Sequence, residues 1–277
     1  MNSLESAITR VRSGLAKTQL RAPLVWLRNK MLSENDVLIA SYPRSGSTWF
    51  CFMLFEALTG QEADFHAVDR DVPYVGKQLK SPAFLSEGGR VVRTHETHSG
   101  GHKKAIYLVR DVRDVAVSEY FYERYEGRWR GPFEEFVRRF VSGGVNPFGS
   151  WAAHVNSWMN APSENQFELT TIRYEDLRRD TEGSLKRALG FLGVGASPDF
   201  IVNAIRNNGI EQMREKEDSS SYSLRKGEDR DIRFVREGSV GGWRQHLNQE
   251  QLRLIEDAAS DAMARLGYQP ESHVSVG

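Results

Sequence analysis

The sequence is nearly without cysteine. Cys51 is the single one in 277 residues, so no intramolecular disulfide can form and a reducing compartment is expected. No apolar run approaches the ~20 residues of a membrane span, and no signal-peptide pattern opens the chain. Together these absences predict a soluble cytoplasmic protein. An excess of either charge is also missing: 37 basic and 37 acidic side chains leave a net charge of zero. That balance excludes the global basic field with which proteins grip nucleic acid. Internal repeats and low-complexity tracts are absent too. What is there is a chain long enough to bury a full core, with 39% hydrophobic and 27% charged residues, as in ordinary globular proteins.

Two regions are distinguished, 1–35 and 36–277. The first is an amphipathic, basic lead-in. Leu4, Ile8, Val11 and Leu15 recur at helical spacing, and Arg10, Arg12, Lys17, Arg21, Arg28 and Lys30 stand against Glu5 alone. It reads as a helix lying on its own domain, in preference to a contact with an anionic membrane surface. From Val37 strands alternate with helices. Val37–Ala40, Gly89–Thr94, Ala105–Val109 and Leu169–Ile172 read as strands. Thr48–Leu58, Val112–Tyr125, Leu185–Leu192 and Gln249–Leu266 read as helical, three of them closed by Gly60, Gly193 and Gly267. This alternation predicts a single doubly wound α/β domain with a mostly parallel sheet. Segments 61–88, 124–150 and 215–242 are too long for plain connections. They are expected to be lids and pocket walls beyond the carboxyl ends of the strands.

"SYPRSGSTW", Ser41 to Trp49, follows the first strand and opens a helix. Backbone N–H groups of Ser45, Gly46, Ser47 and Thr48 lack intrahelical partners there, Gly46 permits close approach, and three hydroxyls add donors. This is an anion-binding turn, although an ordinary serine-capped helix would use the same residue types. It is not a Walker A loop, which needs a second glycine and a lysine before the hydroxyl. "YLVRDVRDVAVSEYFYERY" then sets Arg110 at the end of the third strand and Ser118 on the next helix, sharing a face with Asp114 and Tyr122. A guanidinium beside a hydroxyl suits a terminal phosphate; a salt bridge from Arg110 to a nearby aspartate is the plainer alternative. The third element, "FVREGSVGGWRQHL", is a glycine-punctuated basic loop carrying Arg236, Gly238, Gly241 and Trp243.

In this order the three elements resemble the PAPS-dependent cytosolic-type sulfotransferase family, in a bacterial-like form. "YPRSGSTW" is similar to the family's 5′-phosphosulfate loop, YPKSGTTW. "RDVRDVAVSEYFY" resembles the 3′-phosphate motif, and "FVREGSVGGWRQH" the closing loop F-x-R-K-G-x-x-G-D-W-K-x-H. "VVRTH" resembles the catalytic K-T-H strand, "FGSWAAHVNSW" a segment before the fourth strand, and "RYEDLRRD" the Y-E-D motif. The likeness runs from about Val37 to Tyr268.

The resemblance implies 3′-phosphoadenosine 5′-phosphosulfate (PAPS) as sulfuryl donor, with no metal. Arg44, Ser45, Gly46, Ser47 and Thr48 would hold the 5′-phosphosulfate. Trp49 would stack on adenine, bordered by Tyr174. Arg110, Ser118, Arg236 and Gly238 would bind the 3′-phosphate. His95 would be the base and Arg44 would stabilise the leaving phosphate, so that a hydroxyl of a small-molecule or lipid-like acceptor is sulfated by in-line transfer. The chain departs from the pattern at Arg44, Glu237 and Gly242, which stand for lysine, lysine and aspartate. The family's dimerisation motif is not reproduced in "RQHLNQEQLR", so no oligomeric state is implied.

Tyr74, Phe84, Phe121, Tyr125, Trp129, Phe148 and Trp151 are candidates to line an apolar acceptor pocket. His95, His98 and His102 suggest zinc, but Ser99-Gly100-Gly101 interrupts the spacing and no cysteine completes the set. An ATP-Mg²⁺ small-molecule kinase and a non-catalytic nucleotide-binding module are the rival functions. A decoy stands at Arg225-Lys226-Gly227, a literal R-K-G string. Arg236-Glu237-Gly238, three residues before Gly241, has the register the closing loop requires.

Overall fold

The computed structural model describes residues 21–161, 167–220 and 232–272. Most of the lead-in, and the Arg225-Lys226-Gly227 string, lie outside them. Four strands form one parallel sheet in the order β2-β1-β3-β4: β1 Val37–Ser41, β2 Val91–Thr94, β3 Lys104–Val109 and β4 Glu168–Arg173. All four strands were expected, to within two residues at each end.

Alternation along the buried strands builds two cores. Val37, Ile39, Val91, Ile106, Leu108 and Ile172 face one layer of helices. Leu38, Ala40, Val92, Ala105, Tyr107 and Val109 face the other. A strand buried on both faces must be apolar at successive positions, which is why β1 and β3 read as unbroken hydrophobic runs. Helix α1 (Arg21–Asn29) precedes the sheet. Helix α2 (Ser47–Thr59), apolar on nearly every face, is sandwiched on the first side. Helix α3 (Phe65–Asp71) follows it.

On the second side lie α4 (Val112–Tyr125), α5 (Phe133–Val141) and α6 (Trp151–Asn160). After β4 come α7 (Tyr174–Arg179), α8 (Thr181–Leu192), α9 (Pro198–Asn207) and α10 (Ile210–Ser219), with α9 packed on α2. A 3₁₀ turn at Gly242–Gln245 leads to α11 (Gln249–Arg265), which returns to the second side behind an Asn248–Gln251 capping box.

The chain leaves β1 toward one face, into α2, and leaves β3 toward the other, into α4. The carboxyl ends of these adjacent strands are therefore a topological switch point, where open α/β sheets bind ligands. The long segments are not plain loops: α3 lies within 61–88 and α5 within 124–150. The α5 stripe of Phe133, Phe136, Val137 and Phe140 carries the helical period that aromatic and arginine content masked. Among the described residues no helix is long and apolar enough to cross a membrane.

Candidate active site

The turn after β1 is built on two left-handed residues, Arg44 (φ 66°) and Gly46 (φ 90°). A Cβ on Gly46 would stand 2.6 Å from the Tyr174 ring, so glycine is required by both conformation and space. No side chain caps α2. Its N-terminus is thus left open to an anion. One detail differs from expectation. The Ser45 N–H donates back to the Tyr42 carbonyl at 3.3 Å, and the buried Ser45 hydroxyl finds no partner. Ser45 shapes the turn from beneath and is not among the residues lining the cavity above it.

That cavity, about 720 Å³, opens over the switch point. Arg44, Gly46, Ser47, Thr48, Trp49, His95, Arg110, Ser118, Tyr174, Arg236 and Gly238 all line it. The β1–β3 register, Ser41 beside Leu108, delivers Arg110 to the turn, where it donates to the Arg44 carbonyl at 3.3 Å and the Ser239 carbonyl at 2.9 Å. Its guanidinium lies 4.4 Å from the Tyr174 ring centre, and its buried Nε has no partner. Arg44 donates through Nε to the Ser118 hydroxyl at 3.2 Å and through Nη2 to the Phe234 carbonyl at 3.2 Å. Tyr174 donates to the Gly238 carbonyl at 2.9 Å, and the Trp49 indole donates to the Asn208 carbonyl at 2.7 Å.

Arg236 reaches over the Phe121 ring and pairs with Glu237 at 3.1 Å. Burial depresses the pKa of Arg236; Glu237 opposes this, and the neighbouring cations Arg110 and Arg44 add to it. Three mutually unfavourable guanidinium groups beside an uncapped helix end form a donor set that fits a doubly anionic ligand.

Asp114 holds the closing loop in place. Its carboxylate accepts from the Gly241 N–H at 2.8 Å and the Trp243 N–H at 3.0 Å, which anchors the loop to α4. The sequence placed Asp114 on the Ser118 face without giving it this task, because the partners lie 127 and 129 residues away.

His95 follows β2, and the pairing of Ala40 with Thr94 sets it beside Ser41. Its Nδ1 is 2.7 Å from the Ser41 carbonyl, which can only accept, so Nδ1 carries the proton and Nε2 the lone pair. The Tyr74 hydroxyl, 3.0 Å away, donates to that lone pair. Burial pushes the imidazole pKa down to about 4; the Ser41 bond opposes this, and the charges of Arg93 and Arg44 reinforce it. His95 is therefore a neutral imidazole at physiological pH.

The His95 backbone is held as well. Buried His154 on α6 lies between the Tyr107 hydroxyl at 2.9 Å and the His95 carbonyl at 3.1 Å, and the Trp158 indole donates to the Glu96 carbonyl at 3.0 Å. Nothing local in "FGSWAAHVNSW" reveals this clamp, since its partners lie 47 to 62 residues distant.

Of the seven candidate acceptor-pocket aromatics, Tyr74, Trp129 and Phe148 line the cavity. Tyr125 and Trp151 are buried in the core, Phe121 packs on Arg236 and His246, and half-buried Phe84 lies outside the cavity lining. Glu119 and Glu123 also line the cavity. Burial foremost, then the Glu123 charge, raises Glu119 to about 7. His98 packs against Trp158 and Phe167, and among the described residues no three His, Cys, Asp or Glu side chains are placed to hold a metal ion.

Residues 34–267 match the sulfotransferase domain family. Mouse sulfotransferase 2A2 is 30% identical over 262 residues, covering 88% of this chain and 89% of that protein. Mouse sulfotransferase SULT7A1, solved with PAP (adenosine 3′,5′-bisphosphate), superposes with a TM-score of 0.64 at 23% identity over 85% of this chain and 87% of its own. Retinol dehydratase, solved with androsterone and PAP, gives 0.65 at 22% over 85% and 82%. The chain belongs to the sulfotransferase family, the PAPS-dependent class of enzymes that move a sulfuryl group to an acceptor.

Proposed function

We propose that the protein sulfates a hydroxyl of a small-molecule or lipid-like acceptor, with His95 as general base and Arg44 and the α2 N-terminus as the leaving-group site. The observation that carries this reading is one cavity joining an uncapped helix N-terminus to a histidine of fixed tautomer. When bound, PAPS supplies an electrophilic sulfuryl group on a phosphate leaving group.

The residues divide the work by charge. The N-terminus of α2, Thr48 and Arg44 stabilise negative charge where it builds on the phosphate side. Arg110, Ser118, Arg236 and Gly238 hold the 3′-phosphate and so fix the register of the donor. Trp49 and Tyr174 form the adenine wall. On the opposite side His95 takes up the acceptor's proton. Tyr74, Trp129 and Phe148 give that side an aromatic wall, suited to a flat or apolar alcohol. Retinol dehydratase is solved with the steroid androsterone, which supports an acceptor of similar chemistry here. The unpaired, buried Cys51 accords with a cytoplasmic setting.

A thermal-shift titration tests the donor assignment. PAP should raise the thermal midpoint clearly and ATP-Mg²⁺ only weakly, because a ligand that binds the native state stabilises it by mass action. Equal shifts would remove the reading in favour of a general nucleotide-binding module.

A further inference from the structure

In this structure His95 has no free nitrogen. Nδ1–H is spent on Ser41, and the Nε2 lone pair receives the Tyr74 hydroxyl at 3.0 Å. Phe148 packs edge-on to the same ring at 5.6 Å between centroids. An acceptor hydroxyl must therefore either push Tyr74 aside or hand its proton to Tyr74.

Tyr74 is poorly placed to move. Its backbone forms a parallel bridge to Arg93, with the Val75 N–H donating to the Arg93 carbonyl at 2.9 Å and the Arg93 N–H to the Pro73 carbonyl at 2.7 Å. The Arg93 guanidinium lies 4.4 Å from the centre of the Tyr74 ring and is itself ion-paired to Asp69. Swinging the ring away would break a cation–π contact over a buried cation. The Tyr74 side chain lines the same cavity as His95.

We propose that Tyr74 is a second catalytic residue, a hydroxyl relay that carries the acceptor's proton to His95. The inference rests on the sulfuryl-transfer reading with His95 as base. As the acceptor oxygen bonds to sulfur, its proton passes to the Tyr74 oxygen and the Tyr74 proton passes to Nε2. Tyrosine ends neutral and His95 ends as imidazolium. The electron pair of the breaking sulfur–oxygen bond leaves with the phosphate. Burial raises the phenol's pKa and the positive field of Arg93 on the ring face opposes that rise, so Arg93 stabilises the negative charge that the phenol oxygen carries during the transfer.

The test compares wild type, Tyr74→Phe and His95→Ala. Acceptor turnover is measured with whichever of 2-naphthol, a primary alkanol or a 3-hydroxysteroid releases PAP fastest. In the ligand-free protein, ¹⁵N NMR should show the His95 Nε2 resonance moving toward that of an unbonded imidazole nitrogen in Tyr74→Phe. Turnover should fall about tenfold or more, on the scale of lost acid–base catalysis, while PAP affinity is unchanged and shows the variant to be folded. The dependence of kcat on D₂O fraction should go from curved in wild type, with two protons in flight, to linear in the variant. An unmoved Nε2 resonance, or wild-type turnover in Tyr74→Phe, overturns the relay. If His95→Ala keeps wild-type turnover, the histidine-base reading fails instead, and the two failures are told apart.

Discussion

At the scale of single residues, the site depends on side chains whose charge state is set by burial. His95 is neutral because burial pushes its pKa to about 4. A base works only when deprotonated, so turnover should fall as pH drops through about 4, not through the ordinary histidine value near 6.5; a pH–kcat profile checks this. If His95 is the base proposed above, His95→Ala should lower kcat by on the order of 10²-fold with PAP affinity nearly intact, since a general base acts in the transition state alone. Arg236 and Arg225 make a contrasting pair. Arg236 lines the cavity, and Arg236→Ala should weaken PAP binding by about 1.5–3 kcal/mol, the worth of a hydrogen bond to a charged group. Arg225→Ala should change it by less than about 0.5 kcal/mol, because Arg225-Lys226-Gly227 lacks the register of the closing loop. Calorimetric titration of both variants ranks them.

At the scale of elements, the turn after β1 and the closing loop before α11 are separate in sequence and joined through α4 and α7. Gly46→Ala would put a side chain in a left-handed conformation, costing about 1–2 kcal/mol, and would press its Cβ to 2.6 Å from Tyr174. Both the thermal midpoint and PAP affinity should drop. Asp114→Ala should release the closing loop, leaving the Gly241 and Trp243 N–H groups without their acceptor at about 1–3 kcal/mol for each that stays buried. Chemical denaturation with and without PAP separates the stability loss from the binding loss.

This is also the scale at which the sequence was most readable. Helix α4 falls on the predicted Val112–Tyr125, because strand, arginine and aspartate cap follow one another within a few residues. Helix α6 shows in the sequence only as part of a motif, with no local sign of its role through His154 and Trp158. The same holds for Tyr74, whose pairing with Arg93 and His95 depends on how a long segment returns to the edge of β2. Local patterns announce elements and phosphate turns; they do not announce which distant carbonyl or hydroxyl fixes a histidine.

At the scale of the whole molecule, a parallel sheet covered on both faces gathers these parts at one end of β1 and β3. The cavity carries an electrostatic cost that pH should reveal. Burial, together with the Glu123 charge, raises Glu119 to about 7, against the opposing influence of Asn146, Arg44 and Arg128. A carboxyl whose folded pKa exceeds its unfolded value contributes stability that is full below about 4.5 and lost as pH rises through about 7. Glu119→Gln removes that titration, so the midpoint of the variant minus that of wild type should grow more positive from pH 5 to pH 8; a shrinking difference would mean that Glu119 folds in its charged form.

The central claim is that His95 and the α2 N-terminus serve one sulfuryl transfer. Its most direct test follows ³⁵S from labelled PAPS to a panel of phenols, alkanols and hydroxysteroids, in EDTA, with wild type and His95→Ala. Label should appear on an acceptor oxygen with wild type, undiminished by EDTA, and fall to about a hundredth or less with the variant. Transfer of equal rate by both proteins would contradict the account.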